Sequence, residues 1–178
     1  MRKDELRLLP HDAVWAEDFR AERERIAECL CDSSVRIEHV GSTSIPSVHA
    51  KPILDLAILC GAKGVGEVAS ALEALGYEFR GQFDEQVGHY YAVLEQGRVR
   101  LCQAHIFPEE TAEWASMLMF RDVLRLNRGL AREYDEYKLG LAETTADKGV
   151  YAEIKTRWLD DFMPKVLAAA RVLGVDRT

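Results

Sequence analysis

The stretch Ile37–Leu59, IEHVGSTSIPSVHAKPILDLAIL, places two apolar runs on either side of a segment rich in glycine, serine and histidine. Alternation before Gly41 predicts a β-strand, and the nearly continuous apolar run after Pro52 predicts a second, buried strand. The segment between them has two interpretations. It is either a polar turn whose hydroxyls cap a short helix, or a turn that presents backbone N–H groups and hydroxyls to a phosphate.

Asp55 interrupts the second apolar run. An ionisable side chain there loses hydration unless it is paired, bound to a metal or placed at the mouth of the sheet. A carboxylate on a strand beside a Gly-Ser turn suits metal-assisted nucleotidyl transfer, in which the acid holds Mg²⁺ and the metal neutralises phosphate oxygens. The sequence therefore predicts a catalytic and metal-binding role for Asp55.

The rest of the chain predicts one domain over residues 1–178, with a sheet part at about 1–107 and a helical part at about 108–172. Apolar spacing predicts helices over 13–31 and 64–75, and Pro164 is expected to kink or restart the last helix. Strands are expected in YEF, HYYAVLE and RVRLCQAHIF, with a hairpin at the QG between the last two. The fold class is therefore α+β, a mixed or antiparallel sheet flanked by helices with a C-terminal helical segment.

Composition narrows the possible functions. Lys and Arg number 23 against 30 Asp and Glu, a formal net charge of −7, which argues against general nucleic-acid binding. The four cysteines lack zinc-site spacing and are expected to be reduced thiols. Because no signal-peptide core or long apolar run is present, we expect a cytoplasmic protein with no membrane partner.

The segment RIEHVGSTSIPSVHAKPILDL resembles the GrpB family, and its order of strand, Gly-Ser and acid resembles nucleotidyltransferases of the DNA polymerase β type. RVRLCQAHIF, FRD, YDEYK and YAEIK follow in the order of that family, so the resemblance covers nearly the whole chain. It implies a nucleotidyltransferase-like fold that binds an NTP or another phosphorylated small molecule. The phosphate-binding residues that it implies are Gly41, Ser42, Thr43, Lys51 and Arg121.

The cationic residues in these motifs could contact a phosphate, or they could be solvated or paired with acids. Lys51 can contact a phosphate as a point charge or remain solvated. Arg121, Lys138 and Lys155 lie on predicted amphipathic helices, where a charge is exposed, paired, or presented to an anionic ligand across the sheet.

The expected metal site departs from the wider superfamily. Ala57 stands where a second carboxylate would complete an Asp-x-Asp pair, and Gln103 replaces the first histidine of the His-x-His strand of the GrpB family. Substitute ligands could then be Asp55, His39 and His105, converging on Mg²⁺ or Mn²⁺, or on Zn²⁺, which imidazole favours. Each histidine could instead be a hydrogen-bonded structural residue.

Two functions follow from these patterns. The first is a metal-dependent nucleotidyltransferase that transfers a nucleotidyl group to an unidentified acceptor. The alternative is a non-catalytic module with a degenerate metal site. It would bind a nucleotide or a ligand related to coenzyme A, because GrpB-like domains also occur joined to dephospho-coenzyme A kinase.

Overall fold

The structure is a computed structural model that describes residues 6–83 and 88–175. It contains five helices and five strands, together with a short 3-10 turn over Ser42–Ser44 that follows the first strand. In chain order the elements are α1 (Val14–Leu30), β1 (Arg36–Val40), β2 (Leu54–Leu59), α2 (Val65–Ala74), β3 (Tyr77–Gln82), β4 (Tyr90–Gln96), β5 (Val99–Phe107), α3 (Ala112–Leu126), α4 (Arg128–Thr144) and α5 (Lys148–Leu173).

The five strands form one mixed sheet in the order β1-β2-β5-β4-β3. β2 and β5 run parallel, and the other neighbours are antiparallel. Gly97, with φ of 63°, makes the tight connection between β4 and β5 at the predicted QG turn. The expected α+β class, a mixed sheet with helices after it, is confirmed.

The two faces of the sheet bury different side chains. On β2, Leu56 and Ile58 point to one face, where they pack in an apolar core with residues of α1 and α2. Asp55 and Ala57 point to the other face, and α3 covers part of it with Trp114 and Leu118. The part of this second face that α3 leaves uncovered is where a polar side chain can meet a ligand.

The helical part packs around the segment that follows the 3-10 turn. Ile45 and Val48 are fully buried against residues of α3, α4 and α5. Thr111, Asn127 and Asp147 cap the three helices, since each side chain accepts a backbone N–H of the first turn. The Gly-Ser turn is thereby held between the sheet and the C-terminal helices.

The restart expected as one outcome at Pro164 was wrong, because α5 continues through this residue as one helix. Proline removes one backbone hydrogen bond inside a helix, but Pro164 itself is exposed. Phe162 and Val166 on either side of it are buried in the helical core, and this packing holds the helix together. None of the helices in the described part of the chain combines the length and apolarity that a bilayer crossing requires.

Candidate functional site

A cleft of about 660 Å³ opens between the uncovered part of the sheet and the C-terminal helices. Its lining combines the Gly-Ser turn, the polar ends of β2 and β5, one side of α3 and one face of α5. Lys51, in the loop before β2, and Tyr134 of α4 complete a lining that includes Gly41, Ser42, Thr43, Asp55, Gln103, His105, Ser116, Met117, Phe120, Lys155, Leu159 and Met163.

Gly41 allows the turn to lie directly against Asp55. Its φ of 68° and ψ of −174° belong to a backbone region that is almost restricted to glycine. A Cβ built at this position would lie 2.8 Å from Cγ of Asp55, which is closer than a side chain tolerates. The glycine in the opening motif therefore has a structural reason: it brings the turn and the carboxylate into contact.

Asp55 is the carboxylate on the floor of the cleft. Burial raises its pKa to about 6, against the opposing effect of the positive charges of Lys155, Lys51 and Arg100. Its side chain forms no hydrogen bond or ion pair with any residue within 6–83 and 88–175. Asp55 is thus both close to cationic groups and available to a ligand.

The hydroxyls of the turn have different surroundings. Oγ of Ser42 lies 3.1 Å from the hydroxyl of Tyr134 and accepts a hydrogen bond from Nζ of Lys138 at 3.2 Å. Oγ1 of Thr43 lies 3.0 Å from Nε2 of His39, and Thr43 is buried. Both residues line the cleft, but Thr43 is already bonded to the back of the sheet. Ser42 is half-buried and is therefore the hydroxyl that is more accessible to a phosphate.

Lys51 lines the cleft close to Lys155 of α5. Burial and, to a smaller extent, the charge of Lys155 lower the pKa of Lys51 to about 8. Its ammonium group lies 5.4 Å from the centre of the Tyr151 ring. Of the alternatives open for Lys155, the structure shows a cleft-lining position, which the four-residue spacing of Tyr151 and Lys155 on one helix face could have indicated.

Lys138 lies under the Gly-Ser turn with 2% of its surface exposed. Besides Ser42, its ammonium group donates a hydrogen bond to the backbone carbonyl of His49 and lies 4.5 Å from the Tyr134 ring centre. Burial lowers its pKa to about 7, although Asp135 raises it. Of the alternatives open for Lys138, solvent exposure is not observed, because the residue points inward from α4 against the turn and lies 4.0 Å from Asp135.

His39 does not share the cleft with Asp55. In the antiparallel register His39 stands opposite Leu56, and Val40 stands opposite Asp55, so the His39 ring lies on the apolar face. It stacks on Phe19 of α1 with ring centres 4.7 Å apart, and burial lowers its pKa to about 4. The structural interpretation of His39 is the one that the geometry supports.

His105 lies on the cleft side of β5, but its ring is already engaged. Nδ1 of His105 lies 2.8 Å from Nε2 of His89, and Nε2 lies 3.5 Å from the amide of Gln103. Burial lowers its pKa to about 3, so the ring is neutral near pH 7. On β5 it stands opposite Ala57, and Gln103 is the residue opposite Asp55. His105 therefore lies two residues further along β5 than Gln103, the residue that faces Asp55.

Arg121 forms ion pairs beside β1. Its guanidinium contacts Glu38 at 2.8 Å and Asp122 at 2.7 Å, and it donates a further hydrogen bond to the backbone carbonyl of His39 at 3.1 Å. Two carboxylates therefore already compensate the charge of this buried side chain. Of the two interpretations of Arg121, the paired one is what the structure shows.

The residues that the structure describes do not form a metal site. The floor offers one carboxylate, Asp55, with the Gln103 amide beside it and Ala57 in the place of a second acid. Within the described ranges, no group of three histidine, cysteine, aspartate or glutamate side chains could hold a metal ion. The prediction that His39, Asp55 and His105 converge on one metal ion was wrong for His39. The pleat of the sheet places His39 on the face opposite to that of Asp55 and His105.

Known proteins are similar to this chain in sequence and in fold. A UPF0157 protein of Pseudomonas aeruginosa is 33% identical over 172 residues, covering 94% of this chain and 70% of that protein. The crystal structure of GrpB from Enterococcus faecalis matches with a TM-score of 0.79 and 27% identity, over 90% of this chain and 96% of that one. A cytoplasmic RNA terminal U-transferase matches with a TM-score of 0.52 and 16% identity, over 73% of this chain and 40% of that one, which shows a shared fold.

The family model described as GrpB protein matches residues 5–165. This range includes the Gly-Ser turn, the acid on β2 and the later helical motifs. The family expected from the opening motif is confirmed, and the fold is shared with GrpB from Enterococcus faecalis and with an RNA terminal U-transferase. The chain belongs to the GrpB family.

Proposed function

We propose that this protein binds a nucleoside triphosphate in the cleft, with the phosphates against the Gly-Ser turn. The observation that carries the proposal is the contact between Gly41 and Asp55, which puts a turn rich in donors beside a carboxylate. Ser42 and Lys51 supply a hydroxyl and an ammonium group on the same wall. The fold shared with an RNA terminal U-transferase supports a nucleotide as the ligand.

The volume and lining of the cleft suit a ligand of this size. About 660 Å³ lies within the usual range for small-molecule sites. Met117, Phe120, Leu159 and Met163 form an apolar wall on α3 and α5, facing the polar floor. A ligand with a charged phosphate end and a flat apolar end would match both surfaces.

A second candidate, nucleotidyl transfer, is supported by Asp55. A carboxyl group with a pKa of about 6 is suited to accepting a proton near neutral pH. In that step the acceptor hydroxyl would lose its proton to Asp55 while its oxygen bonds to the α-phosphorus. The bond from that phosphorus to the pyrophosphate group would break, and pyrophosphate would leave. No step is assigned to a metal, because the donor set does not fit one.

The test is the thermal unfolding of the full chain with ATP, GTP, CTP or UTP, each with Mg²⁺, with Mn²⁺ or with EDTA. A bound ligand at 100 times its Kd stabilises the folded state by about 2.7 kcal/mol, so a raised Tm is expected for at least one nucleotide. Ser42→Ala and Lys51→Gln should reduce the shift. Ser116→Ala, which shortens a cleft residue on the α3 side, is the control for Ser42→Ala and should leave more of the shift.

The absence of a shift with every nucleotide, with and without metal, would overturn the proposal. Coenzyme A and dephospho-coenzyme A are included as further ligands, and a shift with these alone would replace the triphosphate by a coenzyme A-related ligand. If a nucleotide binds, pyrophosphate release with hydroxyl-bearing acceptors separates transfer from binding alone. Asp55→Asn should abolish that release if Asp55 is the base.

A further inference from the structure

Three lysines from separate parts of the chain surround the Gly-Ser turn. Lys51 precedes β2, Lys138 belongs to α4 and Lys155 belongs to α5. The charge of Lys155 lowers the pKa of both other lysines, and the charge of Lys51 lowers that of Lys138. The three ammonium groups are therefore close enough to repel one another.

Among the residues that the structure describes, these charges are poorly compensated. Neither Lys51 nor Lys155 forms an ion pair with any residue in 6–83 or 88–175. Nζ of Lys138 lies 4.0 Å from the carboxylate of Asp135. That carboxylate already accepts a hydrogen bond of 2.6 Å from the backbone N–H of His49 and lies 2.8 Å from Nδ1 of the His49 ring. Gathering partly buried cations costs free energy that an anion in the cleft would recover.

The acids around the cleft do not remove this excess at the turn. Asp55 is the carboxylate whose charge acts on Lys51, and Asp135 is the one that acts on Lys138. Glu113 and Asp160 also line the cleft, on α3 and α5. Among the described residues, the ammonium groups of three lysines therefore surround the turn, and Asp55 is the carboxylate in contact with it, a donor set that suits an anion better than a divalent cation.

We propose that the cleft binds the polyphosphate through Lys51, Lys138 and Lys155 without a divalent metal, which deepens the proposed function and rests on it. Lys51 and Lys155 contact the phosphate oxygens directly. Lys138 acts through Ser42, whose oxygen it holds by a hydrogen bond of 3.2 Å. The ammonium groups supply the positive charge that metal ions provide where several carboxylates line the site.

The experiment measures the binding of inorganic triphosphate and of ATP to the full chain by calorimetry, in EDTA and in Mg²⁺. We expect both ligands to bind in EDTA, with an affinity that falls as salt is added. Lys155→Gln should weaken the binding of triphosphate by about tenfold or more, the effect of losing a hydrogen bond from a charged donor. Lys165→Gln, on an exposed lysine of the same helix, is the matched control and should leave binding unchanged.

The variant Asp55→Asn distinguishes a phosphate site made of lysines from one that depends on a metal bound to Asp55. If ammonium groups alone hold the phosphates, removing the nearby negative charge leaves the affinity in EDTA unchanged or raises it. If a metal on Asp55 holds them, the variant loses binding. Asp160→Asn, another acid of the cleft lining, controls for the general effect of removing one negative charge.

The possible results are distinct. Binding of ATP in Mg²⁺ but not in EDTA, lost in Asp55→Asn, overturns this inference and leaves the proposed function intact. If inorganic triphosphate binds in EDTA but ATP does not, the lysine site is supported and the proposal that the ligand is a nucleotide is contradicted. Binding that survives Lys155→Gln and Lys51→Gln unchanged also overturns the inference.

Discussion

One face of the sheet packs in the apolar core, and part of the other face lines the cleft. On the face toward α1 and α2, β2 contributes Leu54, Leu56 and Ile58 to an apolar core. On the opposite face the alternating residues of the same strand are Asp55, Ala57 and Leu59, and only the last two pack under α3. A shift of one residue along the strand thus separates a core position from a cleft position. The difference shows that a strand can stabilise the protein with one face and leave the other available to a ligand.

The largest expected effect comes from truncating the apolar face. Ile58→Ala removes a fully buried side chain and should lower the free energy of unfolding by about 2 to 5 kcal/mol. Ile53→Ala makes the same change at a half-buried residue that lines the cleft, and should cost about 1 kcal/mol. Urea denaturation of both variants measures the difference. Equal losses would contradict the division between the two faces.

Acid should destabilise the apolar face through His39. Burial and the charges of Arg125 and Arg121 lower the pKa of His39 to about 4 in the folded protein, from 6.5 as the ordinary value. Between pH 6.5 and pH 4 the unfolded chain therefore binds a proton that the folded chain does not, and stability falls as pH falls, by up to about 3 kcal/mol.

The measurement for His39 compares the urea midpoints of the unmodified chain and of His39→Asn across this pH range. The gap between the two should change in favour of the variant as pH decreases, because asparagine does not titrate. His89 and His105 also have lowered pKa values, and both remain in the variant, so their contribution cancels in the comparison. A gap independent of pH would show that His39 is not buried as a neutral ring.

A methyl group at Gly41 should damage the cleft face through the contact with Asp55. Gly41→Ala combines a positive φ with an overlap against the Asp55 side chain, and should cost about 2 to 3 kcal/mol. Gly97→Ala is the matched control, because its φ of 63° is similar and its added Cβ would meet nothing within 4 Å. It should cost about 1 kcal/mol. Similar losses in the two variants would mean that the turn does not lie against Asp55.

The smallest expected effect concerns the hydroxyl of Tyr134. Tyr134→Phe removes the hydrogen bond to Ser42 while keeping the ring beside Lys138, and should lower stability by about 1 kcal/mol. Tyr137→Phe is the control, since the ring of Tyr137 stacks on Trp158 and its hydroxyl has no hydrogen bond to the described residues. Chemical denaturation should show a loss in Tyr134→Phe alone. A loss of the same size in both variants would contradict the role of the Ser42 contact.

Much of the fold could be predicted from the sequence because its signals are local. Period-two alternation identified β1, and a continuous apolar run identified β2. Spacing of 3.6 residues identified α1. The restart considered for Pro164 does not occur, because the cost of a proline is local, whereas the packing of Phe162 and Val166 that outweighs it is not.

The site was predicted only in part for the same reason. Gly41, Ser42, Lys51 and Asp55 lie within one short stretch, and the structure brings all four to one cleft. Lys155 is remote in sequence from this stretch, and its place on an amphipathic helix left exposure, pairing and ligand contact all open. His39 lies within the stretch, yet the pleat turns it to the opposite face.

The sequence by itself determined the order of the elements, the family, and the turn that requires glycine at position 41, because these follow from periodicity, residue type and backbone geometry. The tertiary structure alone decided which side chains meet. The pairing of β1 with β2 assigned Asp55 and His39 to opposite faces, and the packing of α4 and α5 brought Lys138 and Lys155 to the turn. Charges that lie far apart along the chain change one another's pKa only when folding removes the water between them.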